Sequence, residues 1–471
     1  MALVAPALAQ AGPGLLVGAV DEDVRASTTV EAEARMAQAR LDGFRAVRVT
    51  SYWRPGMTTP SDEELRVLAN VGDAGFRNGV AVFVTVMSPG SATTPLTDTA
   101  RHDFASYAAA IVRAAPSITR VIVGNEPNLN RFWLPQFNPD GTSAAPAAYL
   151  ALLAQTYDAL KAVSPAVRVY GGAVSPRGTD RSDGVRPTHS PTTSIQELGA
   201  AYRASGRTLP VMDGYVQHVY ADNSSQSPTV AHPNTTSIGV ADYDKLVALL
   251  GQAFDGTAQP GSTLPIVYGE FGVESQIPAA KETLYTGQEP TTIKPVDETT
   301  QATYYQQALS LAFCQPNVSA LLLFPARDEE AHAGWQSGIY YVDGTPKTSR
   351  SQVVAAMKRA TGGSISHCPG LQLPVHATQL RFGTRSAAKR GVFRASFRCD
   401  LDCRYWVRLE NAVTHATKLS TSGAAPAGDP VTADLGARRL KAGKYRYTIR
   451  LVHPVNPAAP TVKAGPSFAL P

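Results

Sequence analysis

The sequence predicts an α/β fold, a (β/α)8 TIM barrel, followed by a small all-β sandwich. Across residues 15–361, eight apolar runs alternate with eight segments of helical period. The runs are continuous rather than alternating, as strands buried on both faces should be. The last hundred residues switch to an apolar–polar alternation of period two, the mark of half-exposed antiparallel strands. Eight βα units in this length are what a closed barrel needs. An open doubly wound sheet would announce a glycine-rich phosphate loop after its first strand, and "VGAVDEDVR" is not one.

Taken in order, the first strand is Leu15–Val20, and the first helix Thr28–Leu41. Strand Ala46–Thr50 leads to a helix opened by Ser61-Asp62-Glu63-Glu64, a capping box in which a hydroxyl and a carboxylate satisfy exposed backbone N–H groups. Strand Val80–Val86 precedes helix Ala100–Ala114, and strand Val121–Gly124 precedes helix Ala147–Val163. Strand Val167–Gly171 is followed by a second capping box, Ser194-Ile195-Gln196-Glu197. Strand Val211–Val219 and helix Ala241–Phe254 come next. Strand Leu264–Tyr268 is followed by a helix that Asp297 caps and that runs to Cys314. Strand Ala320–Phe324 and helix Ser349–Thr361 close the set. Beyond Leu371, "GVFRASFRCDLDCRYWVRLE" and "GKYRYTIRLVHP" place Tyr445, Tyr447, Ile449 and Leu451 on one strand face and Arg446 and Arg450 on the other. The expected domains are 14–365 and 371–471, after a short leading tail over 1–13.

Composition excludes several classes. With 44% hydrophobic and 17% charged residues in 471, the chain is globular and suits two or three domains. It has no purely apolar stretch of the length a membrane helix needs. The opening "ALVAPALAQAG" reads equally as the back half of a secretion signal, ending in Ala7-Leu8-Ala9, and as a frayed tail. Four cysteines agree with export, and proximity suggests Cys314–Cys368, bridging the last two helical layers, and Cys399–Cys403, closing a short loop. No histidine stands near them at zinc-ligand spacing, so neither metal nor cofactor is expected. Charge is uneven: residues 371–471 hold 16 Lys and Arg against 5 Asp and Glu, whereas the remainder of the chain is net acidic. The basic domain can simply cover the barrel flank, or can meet an anionic cell-wall polymer through diffuse charge. No nucleic-acid-binding motif is present.

In a barrel of this kind chemistry belongs at the C-terminal strand ends. There the sequence places Arg48, with Tyr52 and Trp53 after it, in the second unit. Asn125-Glu126 ends the fourth strand, His218 and Tyr220 lie in "MDGYVQHVYAD", Glu270 in "PIVYGEFGVES", and Trp335 in the loop after the last strand. Two carboxyls facing each other across a barrel mouth suit glycoside hydrolysis, one protonating the leaving oxygen while the other attacks the anomeric carbon. Arg48 and Tyr220 are placed to favour the charged form of the attacking group. Glu274 fits a loop residue better than a site residue, and Glu22 fits either.

"GNEP" after the fourth strand and "YGEFG" after the seventh resemble the acid/base and nucleophile motifs of the clan of TIM-barrel retaining glycosidases that includes the cellulase-like families. The resemblance spans roughly Gly14 to Thr361. It implies Glu126 as acid/base, Glu270 as nucleophile, Asn125 on the sugar 2-hydroxyl, Arg48 and Tyr220 supporting Glu270, and His218 lining the site. Many members of that clan carry a Trp at the end of the eighth strand as a sugar platform. Phe324-Pro325 stands there here, leaving Trp335, Trp133 or Trp53 to replace it. The expected protein is a secreted retaining β-glycosidase acting on a poly- or oligosaccharide or a glycoconjugate. A transglycosylase using the same residues and a carbohydrate-binding pseudoenzyme are the alternatives. The sugar and the oligomeric state are not legible in the sequence.

Overall fold

A computed structural model describes Gly12 and residues 14–362, 375–387, 390–400, 403–426, 428–438, 440–452 and 460–470. The proposed signal remnant around Ala7-Leu8-Ala9 and the cysteine at 368 lie outside the described residues. The chain divides into two compact units, Met1–His367 and Cys368–Pro471.

In the first unit eight parallel strands close into a barrel in sequence order. They are β1 (Leu16–Val20), β2 (Ala46–Tyr52), β3 (Ala81–Met87), β4 (Arg120–Val123), β5 (Arg168–Val174), β6 (Gly214–His218), β7 (Ile266–Phe271) and β8 (Val318–Leu323). Pairing of β1 with β8, Leu16 opposite Ala320 and Ala19 opposite Leu323, completes the ring. Helices follow the strands: α1 (Thr29–Leu41), α2 (Asp62–Asn78), α3 (Asp98–Ala114), α4 (Ala145–Val163), α5 (Pro191–Ala204), α6 (Tyr243–Phe254), α7 (Glu298–Phe313) and α8 (Arg350–Thr361). Most start where the sequence signals them. Ser61 accepts the N–H of Glu64, and Asp297 accepts that of Thr300. The start of α5 is a correction. Ser190 is its cap, accepting the Thr193 N–H, and Ser194 lies buried inside the helix. Pro191 decides this, because its fixed φ favours the first helical position.

The barrel interior is filled by side chains from all eight strands, among them Ala46, Phe83, Ile122, Tyr170, Val216, Val267, Ala320 and Leu322, with Leu16 of β1 packed against them. It is a packed core, so any site must sit above it, at the strand ends. Two bulges set what points into that mouth. In β5, Gly172 pairs with Val216 but Val174 with Gln217, leaving Ala173 as the extra residue. In β7, Tyr268 pairs with Gln217 but Glu270 with His218, leaving Gly269 unpaired. Without that second bulge Glu270 would share the face of Tyr268, whose hydroxyl points away from the mouth to Gln315. The extra residue turns Glu270 to the other face, which is what bulges do beside functional sites. Only glycine fits there: a Cβ on Gly269 would stand 2.5 Å from Val216 Cγ1 and 3.2 Å from His218 Cδ2.

The second unit holds two antiparallel sheets. β9 (Ala377–Ala387), β10 (Arg390–Cys399) and β13 (Pro430–Arg438) run in the order β13–β10–β9. β11 (Cys403–Asn411), β12 (Thr417–Ala425), β14 (Gly443–Val452) and β15 (Thr461–Leu470) run in the order β12–β11–β14–β15. They pack face to face as a sandwich. Tyr447 of β14 stacks on Phe382 of β9 with centroids 4.8 Å apart, and its hydroxyl donates to Gly383 O at 3.0 Å. Tyr445, Tyr447, Ile449 and Leu451 are buried, as the alternation requires. Cys399 and Cys403 form the short-loop disulfide. Cys314 is also disulfide-bonded.

Candidate active site

The C-terminal mouth gathers Arg48, Glu126, His218, Tyr220 and Glu270, which the sequence spreads over more than two hundred positions. Arg48 follows Ala46 by two residues and so faces the same interior. His218 and Tyr220 follow Val216 in the same way. Glu270 is almost fully buried and doubly held: Arg48 donates to Oε1 at 2.5 Å and the Tyr220 hydroxyl to Oε2 at 2.8 Å. Arg48 also donates to Gly269 O at 3.2 Å, tying the guanidinium to the bulge that aims the carboxylate.

Glu126 lies on the far side of the mouth. An oxygen of Glu126, an oxygen of Glu270 and a ring nitrogen of His218 all lie within 4.8 Å of one another. His218 Nδ1 stands 2.9 Å from Glu126 Oε1 and 3.4 Å from Glu270 Oε2, so one ring nitrogen serves both carboxyls. These are metal-capable donors, but the arrangement does not suit a cation. Arg48 already places a full positive charge on Glu270, and a divalent ion beside it would be repelled.

The backbone at Glu126 is unusual. Its φ is +39°, in the left-handed region, next to Gly124 at +79°. A non-glycine residue there costs about 1–2 kcal/mol, so the surroundings must hold it. The Glu126 N–H donates to Ala173 O at 2.8 Å, meeting the extra residue of β5. Two positions on, the buried Asn128 carboxamide accepts the Ser175 N–H at 2.9 Å and donates to His189 O at 2.9 Å. Gln136 adds a bond from Nε2 to Pro127 O at 2.9 Å, and its Oε1 lies 2.7 Å from His189 Nδ1. Loops after β4 and β5 are thus locked together behind the carboxyl. Nothing in the sequence singled out Asn128 or Gln136, since an Asn after Pro reads as an ordinary turn residue.

The other expected residues divide. Asn125 is half-buried and, among the described residues, its carboxamide makes no hydrogen bond to protein. Trp335 stacks on Tyr220, with centroids 4.5 Å apart and planes 24° apart, and meets Phe324 edge-on at 5.5 Å. The loop after β8 thereby supplies an indole next to a strand that ends in Phe324. Trp53 is a correction. It is 0% exposed, its indole N–H donates to Met57 O at 2.8 Å, and its ring packs on Phe104 of α3. Period two explains this: Arg48, Thr50 and Tyr52 share one face, so Trp53 turns to the helices and the half-exposed Tyr52 takes the mouth. Trp133 is corrected too. At 4% exposure, with its ring edge-on to Tyr149 of α4, it has no free face for a ligand. Glu22, exposed after β1, accepts the Thr50 N–H at 2.8 Å. Glu274 is buried and burial pushes its carboxyl up to about 8.

Electrostatics act strongly on Glu270. Burial alone would raise Glu270. Coulombic attraction from the His218 ring and from Arg48, with the hydrogen bonds of Arg48 and of the Tyr220 hydroxyl, outweighs it and holds the group below its usual range. Burial, then the Glu270 charge, push the Tyr220 hydroxyl well up, so it remains a proton donor. A depressed folded value means that ionised Glu270 contributes stability fully present above the unfolded carboxyl value of about 4.3. That contribution is lost as pH falls through the folded value. Arg48→Met deletes the main fixed counter-charge. The stability gap between wild type and variant should be widest at neutral pH and narrow below about pH 4. Urea melts across that range check this, and a gap that is constant with pH overturns it.

No protein-family model matches the chain, and no curated protein matches it in sequence. Solved structures do. A GH5_18 protein from Streptomyces cattleya, in complex with GlcNAc, is 15% identical at a TM-score of 0.49, over 73% of this chain and 80% of that one. A monomeric beta-xylosidase from Caulobacter crescentus CB15 is 15% identical at 0.45, over 90% and 95%. A Bacteroides uniformis beta-glucuronidase is 12% identical at 0.47, over 98% of this chain, which spans about half of that protein, 47%. What the site does is argued below from its own geometry.

Proposed function

We propose that this protein is a retaining glycosidase that hydrolyses O-glycosidic bonds of a poly- or oligosaccharide or glycoconjugate by double displacement. The observation that carries the reading is the pair of carboxyls, Glu126 and Glu270, with oxygens within 4.8 Å at the barrel mouth and unlike partners. Retaining enzymes hold their carboxyls about 5–5.5 Å apart, whereas inverting ones need about 6.5–9.5 Å to admit a water between. The short approach favours retention.

The partners assign the roles. Arg48 and Tyr220 both donate to Glu270, which stabilises its anion. Glu126 has neither contact and keeps only His218, so it is the carboxyl free to carry and release a proton. In the first step an ionised Glu270 oxygen bonds to the anomeric carbon. The bond from that carbon to the leaving oxygen breaks, and the Glu126 proton passes to that oxygen. In the second step Glu126, now a carboxylate, takes a proton from water. The water oxygen displaces Glu270 from the anomeric carbon, restoring both groups. Asn125, with its unpaired carboxamide, is placed to hydrogen-bond a sugar hydroxyl, and Trp335 and Tyr52 offer ring faces at the mouth.

The protein is further proposed to be exported. Disulfides persist in oxidising compartments, and Cys399–Cys403 and the bonded Cys314 fit that setting. Among the described residues no helix is long and apolar enough to cross a membrane.

A panel of aryl β-glycosides and polysaccharides, followed by proton NMR of the first-formed sugar, tests the reading. The product anomer should match that of the substrate before mutarotation. Release of the opposite anomer overturns the retaining mechanism. No turnover on any member, with sugars still binding at the mouth, overturns the enzyme reading in favour of a pseudoenzyme.

A further inference from the structure

We propose that the outer face of the four-stranded sheet β12–β11–β14–β15 binds a polysaccharide that carries carboxylates. The inner face of this sheet is the sandwich core, so the register fixes what faces outward. On β11 the outward residues are Arg404, Trp406 and Arg408, alternating with buried Cys403, Val407 and Leu409; Glu410 continues their phase but is itself buried. On β14 they are Arg446, Thr448 and Arg450, alternating with buried Tyr445, Tyr447, Ile449 and Leu451. Trp406 pairs directly with Arg450, whose guanidinium lies over the indole at 5.0 Å from its centroid.

Three of these cations have no carboxylate. Among the described residues, Arg404 and Arg408 make no hydrogen bond or ion pair, and the one contact of Arg450 is the Trp406 ring. The single acid of the face, Glu410, is occupied: it accepts from Thr448 Oγ1 at 3.1 Å and stands 3.8 Å from Arg446. Arg404 and Arg408 are four residues apart on one strand, so their Cα atoms are about 13–14 Å apart, with Arg450 between them one strand over, at about 4.8 Å. The residues flanking them are small. The register puts Ser420, Ser422 and Ala424 of β12 on one flank, and Ala464 and Val462 of β15 on the other.

A sheet face with spaced guanidiniums that lack carboxylate partners, around one aromatic ring, suits an extended chain of negative charges rather than a single small anion. Guanidinium binds carboxylate through two parallel hydrogen bonds, and an indole gives a sugar ring an apolar face. Double-stranded nucleic acid is disfavoured, because among the described residues no helix lies on this sheet to enter a groove. A membrane is disfavoured because the large apolar groups of the face are only Val462 and the Trp406 indole, whose ring already lies under Arg450. The choice of a saccharide polymer rests on reading the barrel as a glycosidase; the charge argument does not.

The test uses the full chain and the variant Arg404→Ser/Arg408→Ser/Arg450→Ser, with thermal melts by circular dichroism to show that it folds. Binding is measured to polygalacturonate, to its neutral methyl ester, to a duplex DNA and to phosphatidylserine vesicles. Wild type should bind polygalacturonate, should lose about 20–40-fold in affinity between 50 and 200 mM salt for three contacts released, and should ignore the ester. The variant should bind at least tenfold more weakly. Equal binding by wild type and a folded variant overturns the proposal. So does no binding to polygalacturonate at 50 mM salt, equal binding to the ester, or tighter binding to DNA or vesicles. Turnover of a small aryl glycoside is scored separately. Its absence would defeat the glycosidase reading while leaving the binding result to decide this one.

Discussion

Glu270→Ala should nearly abolish turnover on every substrate, a loss on the order of 10⁴–10⁶-fold, as removal of a covalent nucleophile does. No glycosyl–enzyme can form without it. Glu126→Ala should behave differently, because it removes the proton donor and not the nucleophile. A poor leaving group then cannot depart, and the loss should reach about 10²–10⁴-fold. A nitrophenolate leaves without protonation, so the first step should survive on activated aryl glycosides. The second step lacks its base, and glycosyl–enzyme should accumulate. Azide needs no base and should restore turnover in Glu126→Ala, giving a glycosyl azide of the substrate's own configuration. In Glu270→Ala any azide rescue should give the opposite anomer, since azide then displaces the leaving group in one step. Reversed anomers would mean that the two roles are exchanged. Wild-type activity in both variants would remove the catalytic reading of this pair.

The largest effect on stability should come from Lys347→Met. The Lys347 ammonium is completely buried and donates to Ser275 Oγ at 2.9 Å, Asp328 Oδ1 at 2.8 Å and Gln336 O at 2.8 Å. Its three donors are thus all used, and they join the loop after β7 to the loop after β8 that carries Trp335. Burial raises the Asp328 carboxyl, and Lys347 is the chief group drawing it back down. Removing Lys347 leaves a buried carboxylate with only the Tyr285 hydroxyl and the Gly338 N–H, at a cost of about 3–5 kcal/mol. The cost should shrink at acidic pH, where Asp328 can protonate. Asp328→Asn added to Lys347→Met should recover part of it, because no charge is then stranded. Urea melts of the two single variants and the double variant measure this. A loss under about 1 kcal/mol for Lys347→Met would show that the pair is not what joins these loops.

The sequence by itself determined the barrel, and it marked two glutamates as strand-end candidates. Strand runs such as Val121–Gly124 are short apolar stretches, helix starts such as Ser61 and Asp297 carry capping signals, and the local physics of turns and caps is written in neighbouring residues. Arg48, His218 and Tyr220 were legible because period two carries the inward face of a strand to its end. The basic second unit was legible from charge alone. What the sequence did not determine was side-chain direction wherever that period breaks or a loop takes over. Trp53 lies one residue past the inward face and is lost to the helix layer, while Trp133 is folded back on α4. Ser194 looked like a cap until Pro191 set the helix start one turn earlier.

Only the tertiary structure decided that Glu270 faces the mouth at all. Counted in twos along β7, it belongs with Tyr268, on the outside; the bulge at Gly269 turns it inward. A glycine inside a strand pattern hints at a bulge, but its direction depends on how β6 and β7 pair. The same holds for the left-handed backbone at Glu126, kept in place by Ala173 of β5 and by Asn128 and Gln136 of the loop after β4. Residue types and periodicity are local properties, so they can be read in one dimension. The distance between two carboxyls depends on register, bulges and buried hydrogen bonds between segments far apart in sequence, and these exist only once the barrel has closed.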